Sequence, residues 1–292
     1  MRAVLPGTSV ARLKALMAEL GIRPNRRLGQ NFLVDGRLLE AILEAAACDP
    51  ETAVLEVGPG AGTLTAALLE RGCRVLAVER DRRLASWLAG ELAGEGRLRL
   101  LEGDVLRLDW RAAWCEAMRG ATREMVVSNL PYAISGPLVR DLLGRERPAW
   151  ERMVLLVQRE FADRLLATPG EEAYGALTVL VRRYAAVERL RRVPPTAFWP
   201  VPEVDSSLVR LWPRAERPPR EPFDSLVRAA FARRRKTLEN TLLAWPGFAG
   251  RADRATVRRL CERAGIRPSS RAEELSVEEF ERLAREAGGA EI

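Results

Sequence analysis

The segment Asn129-Leu130-Pro131-Tyr132 combines residues suited to hold a flat ring that carries an amino group. It follows an apolar segment, residues 123–128, that predicts a buried strand. The side-chain oxygen of Asn129 and the carbonyl oxygen of Leu130 can accept the two hydrogens of an exocyclic amine. Pro131 stiffens the turn and removes a competing donor, and Tyr132 offers a ring face for stacking on a base. A plain turn with a packed tyrosine has the same composition, so the neighbouring motifs must decide between the two interpretations.

A glycine-rich loop lies upstream, in the segment Glu56-Val57-Gly58-Pro59-Gly60-Ala61-Gly62. It joins a predicted buried strand to a helical stripe of leucines. Glycine lets the backbone approach a ligand closely, and the free amides of the helix start can face that ligand. By itself the loop is equally typical of a strand-to-helix connection without a ligand. Two following predicted strands end in carboxylates, Glu79 and Asp104, at the same edge of the sheet.

The main competing interpretation is a nicotinamide dinucleotide site. The dinucleotide fingerprint places a third glycine or an alanine two residues after the second glycine, but Thr63 occupies that position here. The spacing is instead Gly58-x-Gly60-x-Gly62. Glu56, in the strand before the loop, also favours a ligand with an amino group over one with a pyrophosphate.

S-adenosylmethionine satisfies all of these groups together. Its ribose hydroxyls can donate to Glu79, its adenine amine can donate to Asp104, and its amino-acid part can lie over the glycine loop, residues 58–62. Its methyl group then points to Asn129. The order of these groups on successive strand ends makes the combination more specific than any single motif, and the sequence therefore predicts a methyltransferase.

Composition narrows the possible chemistry and the cellular location. The 292 residues, 47% hydrophobic and 30% charged, predict about two domains of an ordinary globular protein. Histidine is absent, which excludes histidine bases, histidine-activated nucleophiles and histidine metal ligands. The cysteines are far apart and predict reduced, mostly buried thiols in a cytoplasmic protein, without a metal site; they are Cys48, Cys73, Cys115 and Cys261.

The positive charge predicts a polyanionic partner. The net charge is +7 and the pI is about 9.9, as expected for a nucleic-acid-binding protein. Between Asp224 and Glu239 lies a basic segment without an acidic residue, which favours phosphate contacts; its cations are Arg228, Arg233, Arg234, Arg235 and Lys236. A solvated helix face is the ordinary alternative for such a run. No apolar run approaches membrane-spanning length, so no membrane contact is expected.

Strand and helix patterns alternate from about residue 35 to residue 212, which predicts an α/β domain with helices on both faces of a mainly parallel seven-stranded sheet. The predicted strands are 54–57, 74–78, 98–101, 123–128, 153–157, 187–190 and 207–212. A proline-rich linker, 213–222, leads to a small all-helical domain, 223–292, with predicted helices 223–233, 236–244, 254–264 and 277–286. We thus expect a domain over 1–212, a linker and a helical domain. The N-terminal residues 8–20 predict a capped amphipathic helix and not a signal peptide.

A stiff loop with four prolines, residues 193–205, precedes the last predicted strand. Its aromatic residues are Phe198 and Trp199, and we expect Phe198 to stack on the target base. Trp199 fits a role beside the base and a role in plugging the sheet edge equally well.

These motifs, together with further segments, carry a resemblance to one family: Leu28-Gly29-Gln30-Asn31-Phe32-Leu33, Val157-Gln158-Arg159-Glu160 and Phe231-x-x-Arg234-Arg235-Lys236-Thr237-Leu238. Nearly the whole chain resembles the KsgA-type ribosomal RNA small subunit adenine dimethyltransferases. The resemblance implies a Rossmann-like class I S-adenosylmethionine-dependent methyltransferase domain that dimethylates two adjacent adenosines near the 3′ end of 16S RNA. The residues then expected to bind the cofactor are Asn31, Leu33, Gly58, Gly60, Glu79, Asp104 and Asn129. The partner implied is the small ribosomal subunit, and a cytoplasmic monomer without a metal is expected.

Two positions depart from the family pattern: Ala133 stands where the family has asparagine, and Gly136 where it has threonine. Neither is expected to touch a ligand, but both could change the support of the turn and the balance between first and second methylation. Two alternatives stay open. One is dimethylation of large-subunit RNA, as in macrolide resistance, and the other is a mainly non-catalytic ribosome assembly factor on the same fold.

Overall fold

The computed structural model describes residues 9–24, 30–117, 119–143, 150–214, 218–248 and 253–288. The chain forms two compact units: a sheet unit, Met1–Ala162 with Val187–Pro213, and a helical unit, Asp163–Ala186 with Arg214–Ile292. Segment 163–186 therefore groups with the C-terminal helices, whereas the sequence pattern placed it in the domain 1–212. Residues 215–217, within the predicted linker, lie outside the described residues.

Within the described residues, all seven predicted strands of the main sheet are confirmed. Together with two short strands outside this sheet, β1 and β8, the strands in chain order are β1 (Phe32–Leu33), β2 (Thr52–Val57), β3 (Arg74–Glu79), β4 (Leu98–Glu102), β5 (Arg123–Asn129), β6 (Arg152–Gln158), β7 (Ala185–Val193), β8 (Phe198–Trp199) and β9 (Ser206–Pro213). Their order in the main sheet is β4-β3-β2-β5-β6-β9-β7. The pairs among β2 to β6 are parallel, and β6 pairs with β9 in the antiparallel direction. β1 and β8 form a separate antiparallel pair.

The helices cover the sheet or build the helical unit. They are α1 (Val10–Glu19), α2 (Gly36–Ala46), α3 (Thr63–Glu70), α4 (Arg82–Glu91), α5 (Arg111–Ala117), α6 (Ser135–Leu143), α7 (Arg159–Leu166), α8 (Ala176–Tyr184), α9 (Phe223–Phe231), α10 (Leu238–Thr241), α11 (Arg254–Arg263) and α12 (Val277–Gly288). Every residue of β2 is buried, as expected for a parallel strand with both faces covered. No described helix has the length and apolar character that crossing a membrane requires.

The strand order reverses at β2, which lies between β3 and β5. At such a switch point the connections leave in opposite directions, and a crevice opens at the carboxyl ends of the strands. The start of α4, at this edge of the sheet, is capped by a side chain. Asp81 accepts from the backbone N–H groups of Arg83 at 3.0 Å and Leu84 at 3.4 Å. The fold therefore places the ends of β2, β3 and β5 around one opening.

The predicted N-terminal helix is confirmed as α1, which Ser9 caps. Its buried face joins Phe32 of β1, Ala61 of the glycine loop and Leu84 of α4 in one hydrophobic cluster. This packing ties the N-terminal segment to the edge of the sheet where the crevice lies.

The helical unit has its own core, which includes the fully buried Phe223 and Phe280. Three of the four predicted C-terminal helices appear at the expected places. The fourth, predicted over 236–244, is shorter, because Thr237 forms a β-bridge with Arg271 and only α10 and a 3₁₀ turn, Leu242–Ala244, follow it. The chain also leaves the helical path after α9, so the basic segment is helical only up to Phe231.

Candidate active site

An open cavity lies at the carboxyl ends of β2, β3 and β5, and its empty space, open solvent included, is about 1030 Å³. All seven residues expected to bind the cofactor border it: Asn31, Leu33, Gly58, Gly60, Glu79, Asp104 and Asn129. They come from segments up to about a hundred residues apart in the chain. The structure thus brings together the groups that the strand-end pattern predicted.

The glycine loop forms the floor of this cavity and needs its glycines. Gly58 and Gly60 have φ angles of 73° and 57°, which side chains with a Cβ rarely adopt. A Cβ on Gly58 would lie 3.1 Å from Cγ of Pro131, and a Cβ on Gly60 would lie 3.0 Å from Cε1 of Phe32. The missing side chains therefore let the loop pack directly against the Asn-Leu-Pro-Tyr turn, residues 129–132, and against the β1 segment.

Glu79 ends β3 with its carboxylate held by backbone donors. Oε2 accepts from the N–H of Gly60 at 3.0 Å, and Oε1 accepts from the N–H of Asp81 at 2.8 Å. The residue is 6% exposed, and burial raises the pKa of its carboxyl, while the backbone hydrogen bonds act in the opposite direction. Each carboxylate oxygen has a second lone pair, so Glu79 can still accept from a ligand hydroxyl.

Glu56 is a second acid in the wall of the cavity. It is 2% exposed, and the hydroxyl of Thr65 donates to its Oε2 at 2.7 Å. Burial raises the pKa of Glu56 to about 8, and the negative charge of Glu79 adds to the rise. Burial therefore favours the protonated form of Glu56, and a cationic group beside it would favour the anion.

Asp104 also borders the cavity. Its Oδ1 accepts from the N–H of Leu106 at 3.0 Å, and its Oδ2 lies 3.8 Å from a guanidinium nitrogen of the largely exposed Arg80. The neighbouring Gly103 donates from its N–H to the carbonyl of Glu79 at 2.7 Å. This bond holds the segment before Asp104 next to the end of β3.

The Asn-Leu-Pro-Tyr turn lies across the cavity from these acids. The amide nitrogen of Asn129 donates to the carbonyl of Asn31 at 2.9 Å. The other atom of the amide, the side-chain oxygen, can then accept a hydrogen bond from a ligand. Leu130 is 1% exposed, and its N–H donates to Leu156 at 3.0 Å. Pro131 borders the cavity, whereas the side chains of Leu130 and Tyr132 do not. The turn can therefore offer acceptors at the ligand side and keeps its apolar anchor in the core.

Three buried serines hold this turn in place, and sequence reasoning assigned none of them a role. Ser128 donates to the carbonyl of Val57 at 2.7 Å, and Ser135 donates to the carbonyl of Pro131 at 3.3 Å. Ser206, at the start of β9, shares a hydrogen bond of 2.8 Å with the hydroxyl of Tyr132. Ser128 and Ser206 have partners more than seventy residues away in the chain, so no local signal distinguishes them. The partner of Ser135 lies four residues before it, within the turn itself.

Of the two aromatic residues of the proline loop, Phe198 is placed differently from the expectation. Phe198 is 1% exposed and belongs to the core, since β8 pairs with β1 and sets Phe198 opposite Leu33. The ring of Phe198 therefore has no exposed face with which to stack on the target base. Trp199 stacks on Phe32 with ring centroids 6.2 Å apart, so it supports a residue that borders the cavity.

The basic segment is only partly free of acidic partners, which corrects the expectation of five uncompensated cations. Arg228 lies 3.4 Å from Glu221. Arg234 pairs with Glu273 at 2.7 Å and also donates to the carbonyls of Glu172 and Tyr174. The remaining exposed cations have no acidic partner among the described residues; they are Arg233, Arg235 and Lys236.

Several further residues border the cavity that the sequence did not single out as ligands. Gln30 donates to Asp81 at 3.2 Å, and both residues line the cavity. Ala133 lines it as well. Gly136 lies in α6, where a Cβ would meet Phe161 at an ordinary 3.7 Å. In the sequence, only their position next to the segments 28–33 and 129–132 indicates that Gln30 and Ala133 belong to the site.

Comparisons with known proteins agree with this geometry. Residues 21–287 match the family model for ribosomal RNA adenine dimethylase. Two curated relatives carry the name ribosomal RNA small subunit methyltransferase A. The relative from Thermobifida fusca is 42% identical over 282 residues, 94% of each chain. The relative from Deinococcus radiodurans is 41% identical over 284 residues, 97% of this chain and 92% of that one.

Two solved structures are also similar. A dimethyladenosine transferase from Plasmodium falciparum is 27% identical, with a TM-score of 0.71, over 86% of this chain and 95% of that one. The 23S rRNA methyltransferase ErmE is 28% identical, with a TM-score of 0.62, over 88% of this chain and 100% of that one.

Proposed function

The chain belongs to the ribosomal RNA adenine dimethylase family, and from this premise we propose its target and the roles of its residues. The protein is an S-adenosylmethionine-dependent methyltransferase. Its proposed targets are the 6-amino groups of two adjacent adenosines near the 3′ end of 16S ribosomal RNA. The observation that carries the proposal is the convergence of Asn129 and Pro131 with the acids Glu79 and Asp104 on one cavity. The names of the curated relatives favour the small subunit over the large-subunit alternative.

The residues of the cavity fit S-adenosylmethionine. Gly58 and Gly60 of the glycine loop border the cavity without a side chain, and Glu79 and Asp104 offer acceptors for ribose hydroxyls and an adenine amine. Glu56, whose protonated form is favoured by burial, can become the counter-ion of an amino group by losing its proton. When bound, the cofactor supplies an electrophilic methyl group on a sulfonium centre.

The Asn-Leu-Pro-Tyr turn prepares the target amine for attack. The lone pair of an exocyclic adenine amine is delocalised into the ring, so attack requires the nitrogen to rehybridise. Oxygen acceptors on Asn129 and on the carbonyl of Leu130 hold the two amine hydrogens in that geometry. Tyr132 fixes the plane of the base. The methylated amine is transiently cationic and acidic, so it releases its proton to solvent without a histidine base.

The second methylation at each adenosine uses the same groups with one fewer hydrogen bond. A monomethylated amine retains one hydrogen, and only one of the two acceptors can hold it. The first methyl group must then fit beside the turn, where Ala133 lines the cavity with a small side chain. Placement of the ring therefore matters more in the second round than in the first.

Docking on the RNA is assigned to the helical unit. The base pocket recognises adenine but not its position in the RNA, and a flipped-out nucleotide requires contacts elsewhere to offset unstacking. The exposed Arg233, Arg235 and Lys236 are the proposed phosphate contacts, and Arg228 is a weaker candidate because of Glu221. Arg234 contributes mainly by holding the segment to Glu273. We also propose that the protein acts as a cytoplasmic monomer, in keeping with a ribosomal substrate.

The decisive experiment maps methyl groups by mass spectrometry after incubation with labelled cofactor and undermethylated ribosomal subunits. We expect two adjacent dimethylated adenosines near the 3′ end of the small-subunit RNA and none in the large subunit. Asn129→Ala serves as the matched inactive control. A single dimethylated adenosine in the large subunit would support the resistance-type alternative. Tight small-subunit binding without methylation would support the assembly-factor alternative.

A further inference from the structure

Ser206 is placed where a rigid strand meets the catalytic turn. It is the first residue of β9 and is fully buried, with 0% exposure. In the antiparallel pair of β6 and β9 it stands opposite Gln158. Its hydroxyl lies 2.8 Å from the hydroxyl of Tyr132. The hydrogen bond thus joins the first residue of β9, the neighbour of β6 in the main sheet, to the hydroxyl of the tyrosine ring.

The bond to Ser206 fixes the end of the ring that the backbone cannot control. Tyr132 begins a 3₁₀ turn, Tyr132–Ile134. The hydrogen bond from the hydroxyl of Ser135 to the carbonyl of Pro131 spans this turn and stabilises it. The ring itself can still rotate about its two side-chain torsions. Burial raises the pKa of Tyr132, so its hydroxyl stays protonated at neutral pH and either hydroxyl can donate.

We propose that Ser206 is a positioning residue for adenine methylation: through its hydrogen bond it sets the plane of the Tyr132 ring and hence of the target base. The inference rests on the proposed function, in which Tyr132 fixes the base. Groups that act on a reacting atom must be held within about 0.5 Å and 10–20° of the productive geometry. A ring anchored only at its Cα end does not meet that requirement.

The second methyl transfer is the step most sensitive to this bond. The monomethylated amine keeps one hydrogen for the acceptors of the turn, so stacking on Tyr132 contributes a larger share of its orientation. Loosening the ring should therefore slow the second transfer more than the first. When the Ser206 bond is removed, we expect N6-monomethyladenosine to accumulate at the target positions.

The chain provides a matched control in the next residue. Ser207 is also fully buried, and it stands opposite Val157 in the same strand pair. Successive side chains of a strand point to opposite faces, so Ser207 faces away from the side that Ser206 faces. Its hydroxyl has no hydrogen-bond partner within the described part of the chain. Ser207→Ala therefore repeats the same chemical change in β9 without touching the Tyr132 bond.

The test compares Ser206→Ala, Tyr132→Phe, their double variant and Ser207→Ala with the wild-type protein, using undermethylated small subunits. We measure kcat and KM for the subunits, affinity for S-adenosylmethionine, thermal stability and the ratio of monomethyl to dimethyl product. Tyr132→Phe keeps the stacking face and removes only the hydroxyl, so it tests the same bond from the other side.

We expect Ser206→Ala and Tyr132→Phe each to lower kcat by about two- to tenfold, the effect of one neutral hydrogen bond. KM and cofactor affinity should stay unchanged, and the monomethyl fraction should rise. The double variant should be no slower than either single variant, because both changes remove the same bond. Ser207→Ala should match the wild type.

Three results would overturn the inference. The first is equal behaviour of Ser206→Ala and Ser207→Ala. The second is additive losses in the double variant. The third is a loss of stability and overall rate with an unchanged product ratio, which would make Ser206 a structural residue. A wild-type protein that methylates no small subunits would instead refute the proposed function itself, so the two failures are distinguishable.

Discussion

Replacing Glu56 with glutamine should change how the stability of the sheet unit depends on pH. Glu56 is buried beside Thr65 and Glu79, and burial raises its pKa to about 8. Glutamine has nearly the shape of the protonated acid and can keep the hydrogen bond from Thr65. The variant therefore removes the titration while retaining the contacts.

The direction of this pH dependence follows from the number of protons that the folded and the unfolded protein bind. In the folded protein Glu56 holds its proton up to about pH 8, whereas the ordinary pKa of a glutamate is 4.5. Between these values the folded state binds more protons than the unfolded state, so stability falls as pH rises. One such group changes the free energy of unfolding by about 1.4 kcal/mol per pH unit, and by about 5 kcal/mol over the whole window as an upper bound. The contribution is complete below about pH 4.5 and lost above about pH 8.

The assay is hydrogen exchange of the β2 amides in urea, read by mass spectrometry at pH 5.5, 6.5 and 7.5. It reports on the sheet unit directly, which matters because the chain has two compact units and a single global transition need not describe both. Wild type and Glu56→Gln are compared at each pH, so the pH dependence of exchange chemistry cancels. Burial also raises the pKa of Glu79, and Glu79 is present in both proteins.

We expect the advantage of Glu56→Gln over wild type to grow by about 3 kcal/mol from pH 5.5 to pH 7.5. Glu44→Gln, an exposed position in α2, should leave the curve parallel to wild type. A constant difference between Glu56→Gln and wild type across this range would refute the reasoning, because it would mean that Glu56 is already ionised in the folded protein.

The other predictions concern ligand binding, turnover and docking. Glu79→Gln should weaken binding of S-adenosylmethionine by about ten- to a hundredfold, the loss of a charged acceptor; unchanged affinity in calorimetry would remove Glu79 from the cofactor site. Asn129→Ala should lower turnover by at least about a hundredfold with small-subunit affinity retained, and an equal loss of both would mark a structural role. Arg235→Gln should reduce the logarithmic salt dependence of subunit binding by about 0.7–0.9. Arg234→Gln should instead lower the melting temperature of the protein, because it breaks the pair with Glu273; a salt slope that falls equally for both arginines would contradict this division.

The sequence alone determined the architecture and the cofactor site to a large extent. The central strands β2, β3, β5 and β6 are mostly buried runs rich in apolar residues, and such runs are visible without knowledge of their neighbours. The ligand groups Glu79, Asp104 and Asn129 end these strands, and parallel strands bring their carboxyl ends to one edge. Residue type and position along the strand were therefore sufficient to predict that these side chains would meet.

The tertiary structure decided the roles that depend on a distant partner. Phe198 is buried because β8 pairs with β1, and Arg234 is engaged because Glu273 and the carbonyls of residues 172 and 174 lie beside it. The assignment of segment 163–186 to the helical unit has the same origin. Ser206 acquires its bond to Tyr132 only because β9 enters the sheet antiparallel beside β6. A hydrogen bond or an ion pair requires two groups within about 3 Å, and the local pattern of a chain specifies the groups but not the distance between them.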